Sequence, residues 1–222
     1  MKFAGLISGG KDSIYSVYKK ISDGWECVCL IAVEGEKDSK MFHVPNIHLT
    51  KEIAKLIGKK LIFYKAKNSK DEIKKLEKAI LKSKEYGAEA IVCGAHSSNY
   101  QRKIIENICE KNQLKLVSPI WNVNPEKYLR NLISSNFKII FTAVAAEGFN
   151  ESWLGRELDE SAIEDLKNLN KKYSVSLIGE GGEYETFVLK CPIYKKEIKI
   201  IKAEKHWEGL SGWLEIKKVK II

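Results

Sequence analysis

The chain has 222 residues, of which 44% are hydrophobic and 30% charged, with a formal charge of +9 from 38 Lys and Arg against 29 Asp and Glu. That length suits one large domain or two small ones, and the apolar fraction is that of a globular protein and not of a disordered chain. No apolar run approaches the ~18 residues that would span a bilayer, so no membrane role is expected.

Residues 3–7 are an apolar run that predicts a buried strand. The run enters a glycine turn at once and lacks the apolar core and cleavage site of a signal peptide, so a soluble, cytoplasmic protein is expected. Residues 13–21 follow with Ile14, Val17, Tyr18 and Ile21 on one helical face, and residues 27–33 are a second apolar run. Residues 49–57 predict a helix carrying Leu49, Ile53, Leu56 and Ile57 on one side, with Gly58 as its stop. A third strand is predicted over 61–64. A long amphipathic helix over 71–86, through Ile73, Leu76, Ile80 and Leu81, ends at Gly87. A fourth strand over 90–93, a helix over 100–111 and a fifth strand over 114–117 complete this part.

Strands that are apolar on both faces and separated by helices predict a Rossmann-like α/β fold, a parallel sheet with helices on both faces. Such a sheet binds its ligand beyond the carboxyl ends of the strands, where the strand order switches. The segments after Ile7, Val33, Cys93 and Val117 are therefore the places to search.

Beyond residue 123 the pattern changes. Asn124-Pro125 has the chemistry of a helix start, and Tyr128, Leu129, Leu132 and Ile133 continue that helix. An apolar run covers 139–144, and a helix after Asp159 carries Ile163, Leu166 and Leu169. Alternation at 197–201 and 214–219 predicts antiparallel strands. Two domains are expected, 1–123 and a smaller α+β domain over 124–222.

The basic excess would suit a polyanionic partner. It is spread as lysine over helix faces, as at Lys74, Lys75, Lys78 and Lys82, without interleaved aromatics. A solvated surface is therefore expected, with no direct nucleic-acid contact. Cys27, Cys29, Cys93, Cys109 and Cys191 form no C-x-x-C pair, which argues against a zinc ribbon or a disulfide framework. His43, His48, His96 and His206 show no metal-ligand spacing. The residues leave a homo-oligomer open.

Between the first strand and first helix lies Ser8-Gly9-Gly10-Lys11-Asp12-Ser13. Two glycines let the backbone turn sharply and aim its N–H groups inward, and the helix adds unpaired N–H groups and the positive end of its dipole. Such a concavity holds an oxyanion. Lys11 adds a point charge, and Ser8 and Ser13 add hydroxyls. The stretch Gly5-x4-Gly10-Lys11 misses the kinase and GTPase P-loop, because Asp12 stands where a hydroxyl should hold magnesium.

The hexapeptide resembles instead the pyrophosphate loop of the N-type ATP pyrophosphatases, whose fold is adenine nucleotide alpha hydrolase-like. The resemblance implies that Ser8 to Ser13 cradle the pyrophosphate part of ATP, and that Asp12 is associated with Mg²⁺. It also implies that Val33 and the Cys93-Gly94-Ala95-His96 segment lie beside the adenine and ribose.

A second unusual stretch is Gly179-Glu180-Gly181-Gly182-Glu183-Tyr184-Glu185-Thr186-Phe187. A glycine hairpin with a strand starting at Tyr184 explains Gly181-Gly182 but not the three carboxylates. An anionic wall suits a cationic substrate, ammonia or magnesium.

The two motifs together are similar to the diphthine–ammonia ligase family. Further matching stretches, in family order, are Met41-Phe42-His43-Val44-Pro45-Asn46, Ser98-Asn99-Tyr100-Gln101, Ser118-Pro119-Ile120-Trp121 and Glu151-Ser152-Trp153-Leu154-Gly155-Arg156-Glu157-Leu158-Asp159. They cover nearly the whole chain, so the resemblance is to a short archaeal-type member without extra C-terminal domains. His96 stands where that family often has an apolar residue.

The resemblance implies the last step of diphthamide synthesis, in which the diphthine carboxylate on elongation factor 2 is amidated with ATP and ammonium. On this reading Lys11 and Asp12 serve the phosphates. Glu180, Glu183, Glu185 and Tyr184, with Gly181 and Gly182, receive the trimethylammonium group, and Glu183 and Glu185 are candidates to take a proton from ammonium. Arg156 either meets a phosphate or carboxylate or forms a helix-start salt bridge with Asp159. The competing readings are another pyrophosphate-loop enzyme, such as a tRNA-modifying one, and a non-catalytic nucleotide-binding module.

Overall fold

The computed structural model describes residues 1–35, 45–96 and 99–222, the side chains of residues 99–101 excepted. The chain divides into two compact units, Met1–Asn122 and Val123–Ile222.

The first unit alternates strand and helix: β1 (Lys2–Leu6), α1 (Lys11–Ser22), β2 (Glu26–Glu34), α2 (Thr50–Ile57), β3 (Leu61–Lys65), α3 (Ser69–Lys84), β4 (Ala90–Val92), α4 (Asn99–Lys111) and β5 (Lys115–Val117). The five strands pair in parallel in the order β3-β2-β1-β4-β5. The expected parallel sheet with helices on both faces is present.

Its burial follows from the apolar runs. On β2, Cys29, Ile31 and Val33 pack with Ile91 of β4 against Leu76 and Ile80 of α3 and Ile105 and Ile108 of α4. Burying each of these larger side chains contributes about 1.5–3 kcal/mol. The opposite face takes α1, so close that a Cβ on Gly5 would stand 2.6 Å from Val17 Cγ2. Helix ends follow local chemistry: Gly58 closes α2 in the left-handed region, and the Asn68 side chain accepts from Asp71 N at 2.9 Å to start α3. That cap begins α3 two residues before the apolar periodicity does.

The second unit contains α5 (Pro125–Ser134), β6 (Lys138–Val144), α6 (Glu160–Tyr173), β7 (Tyr184–Lys190), β8 (Ile198–Glu208) and β9 (Ser211–Ile221). Its sheet is antiparallel in the order β7-β6-β9-β8. Asn124 caps α5 by accepting from Lys127 N, with proline in the first turn, and Asp159 caps α6 by accepting from Ala162 N at 2.7 Å.

β8 and β9 each have 11 residues, longer than the alternation at 197–201 and 214–219 indicates. In β8 the register shifts at Ile200/Lys202 and Lys202/Ala203 fall where the expected segment ends. Each extra residue reverses the in–out phase, so the period-2 signal stops although the strand continues. No described helix is long and apolar enough to cross a membrane.

Candidate active site

β1 leads to β2 and β3 on one side of the first sheet, whereas β4 and β5 lie on its other side. The strand order therefore switches between β1 and β4, and the carboxyl ends of these two strands are where a sheet of this kind takes its ligand. The segment after β1 is Ser8 to Ser13, and the segment after β4 is Cys93 to His96. The two meet: a Cβ on Gly94 would stand 2.6 Å from the Asp12 carbonyl carbon and 2.6 Å from Ser13 N. These are backbone atoms, so only glycine allows this approach.

The loop is held by its own backbone and hydroxyl contacts. Gly9 has φ +93°, and Gly10, at the start of α1, is extended and brings no capping side chain. Ser8 N donates to Ser13 Oγ at 3.1 Å, Gly10 N donates to Ser8 Oγ at 3.3 Å, and Ser13 Oγ donates to Gly10 O at 3.1 Å. Lys11 is only 2% exposed, and its ammonium donates to Asp12 Oδ2 at 2.9 Å. Asp12, a third exposed, offers one carboxylate at the edge of the loop. A turn of backbone amides, a helix N-terminus, a buried ammonium and two hydroxyls are the donor set that a cradle for phosphate oxygens requires.

Around this loop, Val33 is buried near the end of β2, and Gly94 and Ala95 are half-buried beyond β4. The His96 side chain is 8% exposed, and its carbonyl accepts from Asn122 N at 3.1 Å. Ser118, which the sequence shows only as part of a motif, lies 3.1 Å from Cys93 Sγ and joins the ends of β4 and β5. Burial raises the Cys93 pKa.

The acidic glycine motif lies in the second unit as the turn entering β7. Glu183 folds back on the turn: Oε1 accepts from Ser176 N at 3.0 Å and Oε2 from Gly181 N at 2.7 Å. Gly179, at φ +70°, would bring a Cβ to 2.7 Å from Tyr184 O, and Gly182 has φ +85°. Glu180 is half-buried, and Glu185 sits on β7 opposite Ala143.

Tyr184 differs from expectation. It is 2% exposed, its hydroxyl donates to Leu177 O at 2.7 Å, and its ring meets Phe141 and Phe149 with centroids 5.1 and 6.2 Å away. Both ends of the side chain serve the core, so the ring is built into the packing beneath the turn instead of standing exposed at its surface. Trp153 joins the same cluster edge-to-face, 4.9 Å from Phe141 and 5.0 Å from Phe149.

Arg156 lies over the Trp153 ring at 4.5 Å and donates to Asp165 Oδ2 at 2.7 Å and to Ser161 Oγ at 3.2 Å. Its ion-pair partner is Asp165 and not Asp159, which caps α6. Sequence spacing also concealed one grouping, formed across the β8–β9 hairpin: Glu204, His206 and Glu215 have ligand atoms within 4.8 Å of one another. Lys217 lies 3.6 Å from Glu204 and 2.6 Å from Glu215, so both carboxylates are already paired with a cation. Met41 to Val44, which include His43, and Ser98 lie outside the described residues, as do the side chains of Asn99, Tyr100 and Gln101.

Family models of the diphthamide synthase N-terminal and C-terminal domains match residues 1–116 and 124–222. The human protein named diphthine–ammonia ligase is 35% identical over 229 residues, covering 92% of this chain and 84% of that one. The chain belongs to the diphthine–ammonia ligase family. It is therefore a member of an enzyme family, the ligases. The diphthine–ammonia ligase of Schizosaccharomyces pombe is 34% identical over 98% of this chain, which spans 39% of that longer relative. Among solved structures, a crystal structure described as a predicted subunit of tRNA methyltransferase from Methanocaldococcus jannaschii aligns over 86% of this chain and 98% of its own, with a TM-score of 0.42 and 19% identity.

Proposed function

We propose that this chain amidates the diphthine carboxylate of elongation factor 2 with ammonium, using ATP and releasing AMP and pyrophosphate. The observation that carries the reading is the phosphate cradle at the β1/β4 switch point, in a chain of the diphthine–ammonia ligase family.

A carboxylate resists amidation because its oxygen is a poor leaving group and its charge repels nucleophiles. In the proposed route a carboxylate oxygen attacks the α-phosphorus of ATP, the bond to the bridging oxygen breaks, and pyrophosphate departs. The acyl-adenylate then takes the lone pair of ammonia at its carbonyl carbon, a proton leaves the nitrogen, and AMP carries off the C–O electron pair.

The residues divide this work. Ser8, Gly9, Gly10 and Ser13 hold the departing pyrophosphate through amides and hydroxyls, and Lys11 neutralises the charge that develops on it. Magnesium, when bound, supplies positive charge to the phosphate oxygens. A single carboxylate such as Asp12 beside a phosphate cradle suits that ion, which keeps most of its shell as water and phosphate. Val33, Gly94 and Ala95 border the adenine and ribose.

In the second unit, Glu180 and Glu185 provide the negative potential that collects ammonium, with Glu185 the candidate to take its proton. Glu183 holds Gly181 and Gly182 in the conformation that presents those carboxylates, and Arg156 braces the turn's aromatic base through Trp153. Diphthine-bearing elongation factor 2 is the protein partner.

The test combines the protein, ATP, ammonium and diphthine-bearing elongation factor 2, and follows AMP and amide together. Asp12→Ala should abolish AMP release. Glu183→Ala should leave ATP affinity within about twofold and slow amidation by about 10²-fold, the loss expected when a reacting group is misplaced. ATP binding without AMP would make the chain a nucleotide-binding module. AMP without amide would make it a different pyrophosphatase.

A further inference from the structure

The side chain to be amidated carries a carboxylate and a quaternary ammonium group, and a site for it needs a fork of donors for one and an aromatic face with anions for the other. In the second unit both obvious candidates are engaged, since the Tyr184 ring is in the core and the Arg156 guanidinium donates to Asp165 and Ser161. The first unit contains an alternative in a motif not yet accounted for, the turn ending at Trp121.

A groove of about 460 Å³ is lined by Arg102, Lys103, Glu106, Asn107 and Glu110 of α4 and by Trp121. That volume lies within the usual range of small-molecule sites, about 300–1,000 Å³. The Arg102 guanidinium stands over the Trp121 ring at 4.2 Å, a contact that positions the guanidinium in the groove. Glu106 Oε1 is 3.9 Å from Arg102 Nη2, an ion pair too long for a hydrogen bond and open to exchange for another carboxylate.

The charges are ordered. Arg102, Glu106 and Glu110 recur every four residues, so they share one helix face over about 12 Å, positive at the start of α4 and negative farther along. α4 follows β4 and Trp121 follows β5, so the positive end lies at the same carboxyl edge of the sheet as the phosphate loop. A zwitterion aligned with these charges directs its carboxylate toward the edge where ATP is cradled.

We infer that this groove is the subsite for the zwitterionic side chain of the substrate: Arg102 orients its carboxylate, and Glu106, one turn along α4, with the part of the Trp121 ring that lines the groove beside Arg102, receives its quaternary ammonium group. The inference rests on the amidation reading. Arg102 and Trp121 are then specificity-determining residues that the phosphate loop does not need.

The experiment measures KM for diphthine-bearing elongation factor 2 and the ATP dissociation constant, for the wild type and for Arg102→Met, Trp121→Leu and Trp121→Phe. Arg102→Met and Trp121→Leu should raise KM at least tenfold with ATP affinity within twofold, and Trp121→Phe should recover most of the loss because a ring face remains. A small betaine carrying a trimethylammonium and a carboxylate should compete with the protein substrate in the wild type and fail to do so in Trp121→Leu. Unchanged KM, equal losses in the Phe and Leu variants, or loss of ATP binding in step with KM would each overturn the subsite while leaving wild-type amidation standing. A wild-type protein that forms no amide would overturn the reading beneath it.

Discussion

At Gly94 the two segments around the switch point come so close that a methyl group has no room. The atoms it would strike belong to the backbone of Asp12 and Ser13, which cannot rotate away as a side chain can. Gly94→Ala must therefore displace the start of α1 and with it the amides of the cradle. We expect at least a tenfold loss of ATP affinity, read by calorimetry, and a destabilisation of about 1–3 kcal/mol typical of overpacking. Gly24→Ala is the control. Gly24 has φ +80° and nothing within 4 Å of a new Cβ, so that change should cost about 1 kcal/mol of backbone strain and leave nucleotide binding intact. The strand, the glycine turn and the helix start at this site were legible from the sequence, because residue type and short spacing specify them locally. The proximity of Gly94 to that cradle was not, since it depends on β4 pairing with β1 across 87 residues, as in Phe3 with Ala90.

Among the elements, helix starts are where side-chain chemistry acts most directly. Asp159 accepts from Ala162 N at 2.7 Å and so satisfies one of the unpaired amides of α6. Asp159→Ala should lower stability by about 1 kcal/mol in urea denaturation, and Asp159→Asn should stay within about 0.5 kcal/mol of the wild type because its side-chain oxygen can still accept. The turn before β7 depends on packing beneath it. Trp153→Ala would empty the space between Phe141 and Phe149, with an expected cost of about 3–5 kcal/mol. Strand lengths in the second unit were less legible than helix starts. A bulge erases the period that a sequence pattern relies on, whereas a cap needs only two residues a few positions apart.

Across the whole molecule, all five cysteines are buried and free. Burial pushes the Cys27 thiol up to about 11 and those of Cys29, Cys109 and Cys191 up to about 12, and it raises Cys93 as well. The sign of the linkage follows. The folded chain keeps these thiols neutral, whereas the unfolded chain ionises them from about pH 8.5 upward. Their contribution is complete below that pH and is lost progressively as the pH rises toward about 12. Urea midpoints should fall steadily above pH 9, and a variant with the four strongly shifted cysteines replaced by Ala or Ser should show a shallower decline. Iodoacetamide at pH 8 should leave the native protein nearly unlabelled and modify all five thiols after unfolding.

By itself the sequence determined the alternation of strand and helix, the glycine turn between β1 and α1, and the family, because each depends on residue type and short spacing along the chain. Tertiary structure alone decided which strand ends meet at the switch point, that the Tyr184 ring belongs to the core, and that Arg156 meets Asp165. It also decided that Arg102 lies over Trp121. Each of these follows from packing between distant segments, where the energy of a contact depends on what else is near and not on neighbours in sequence.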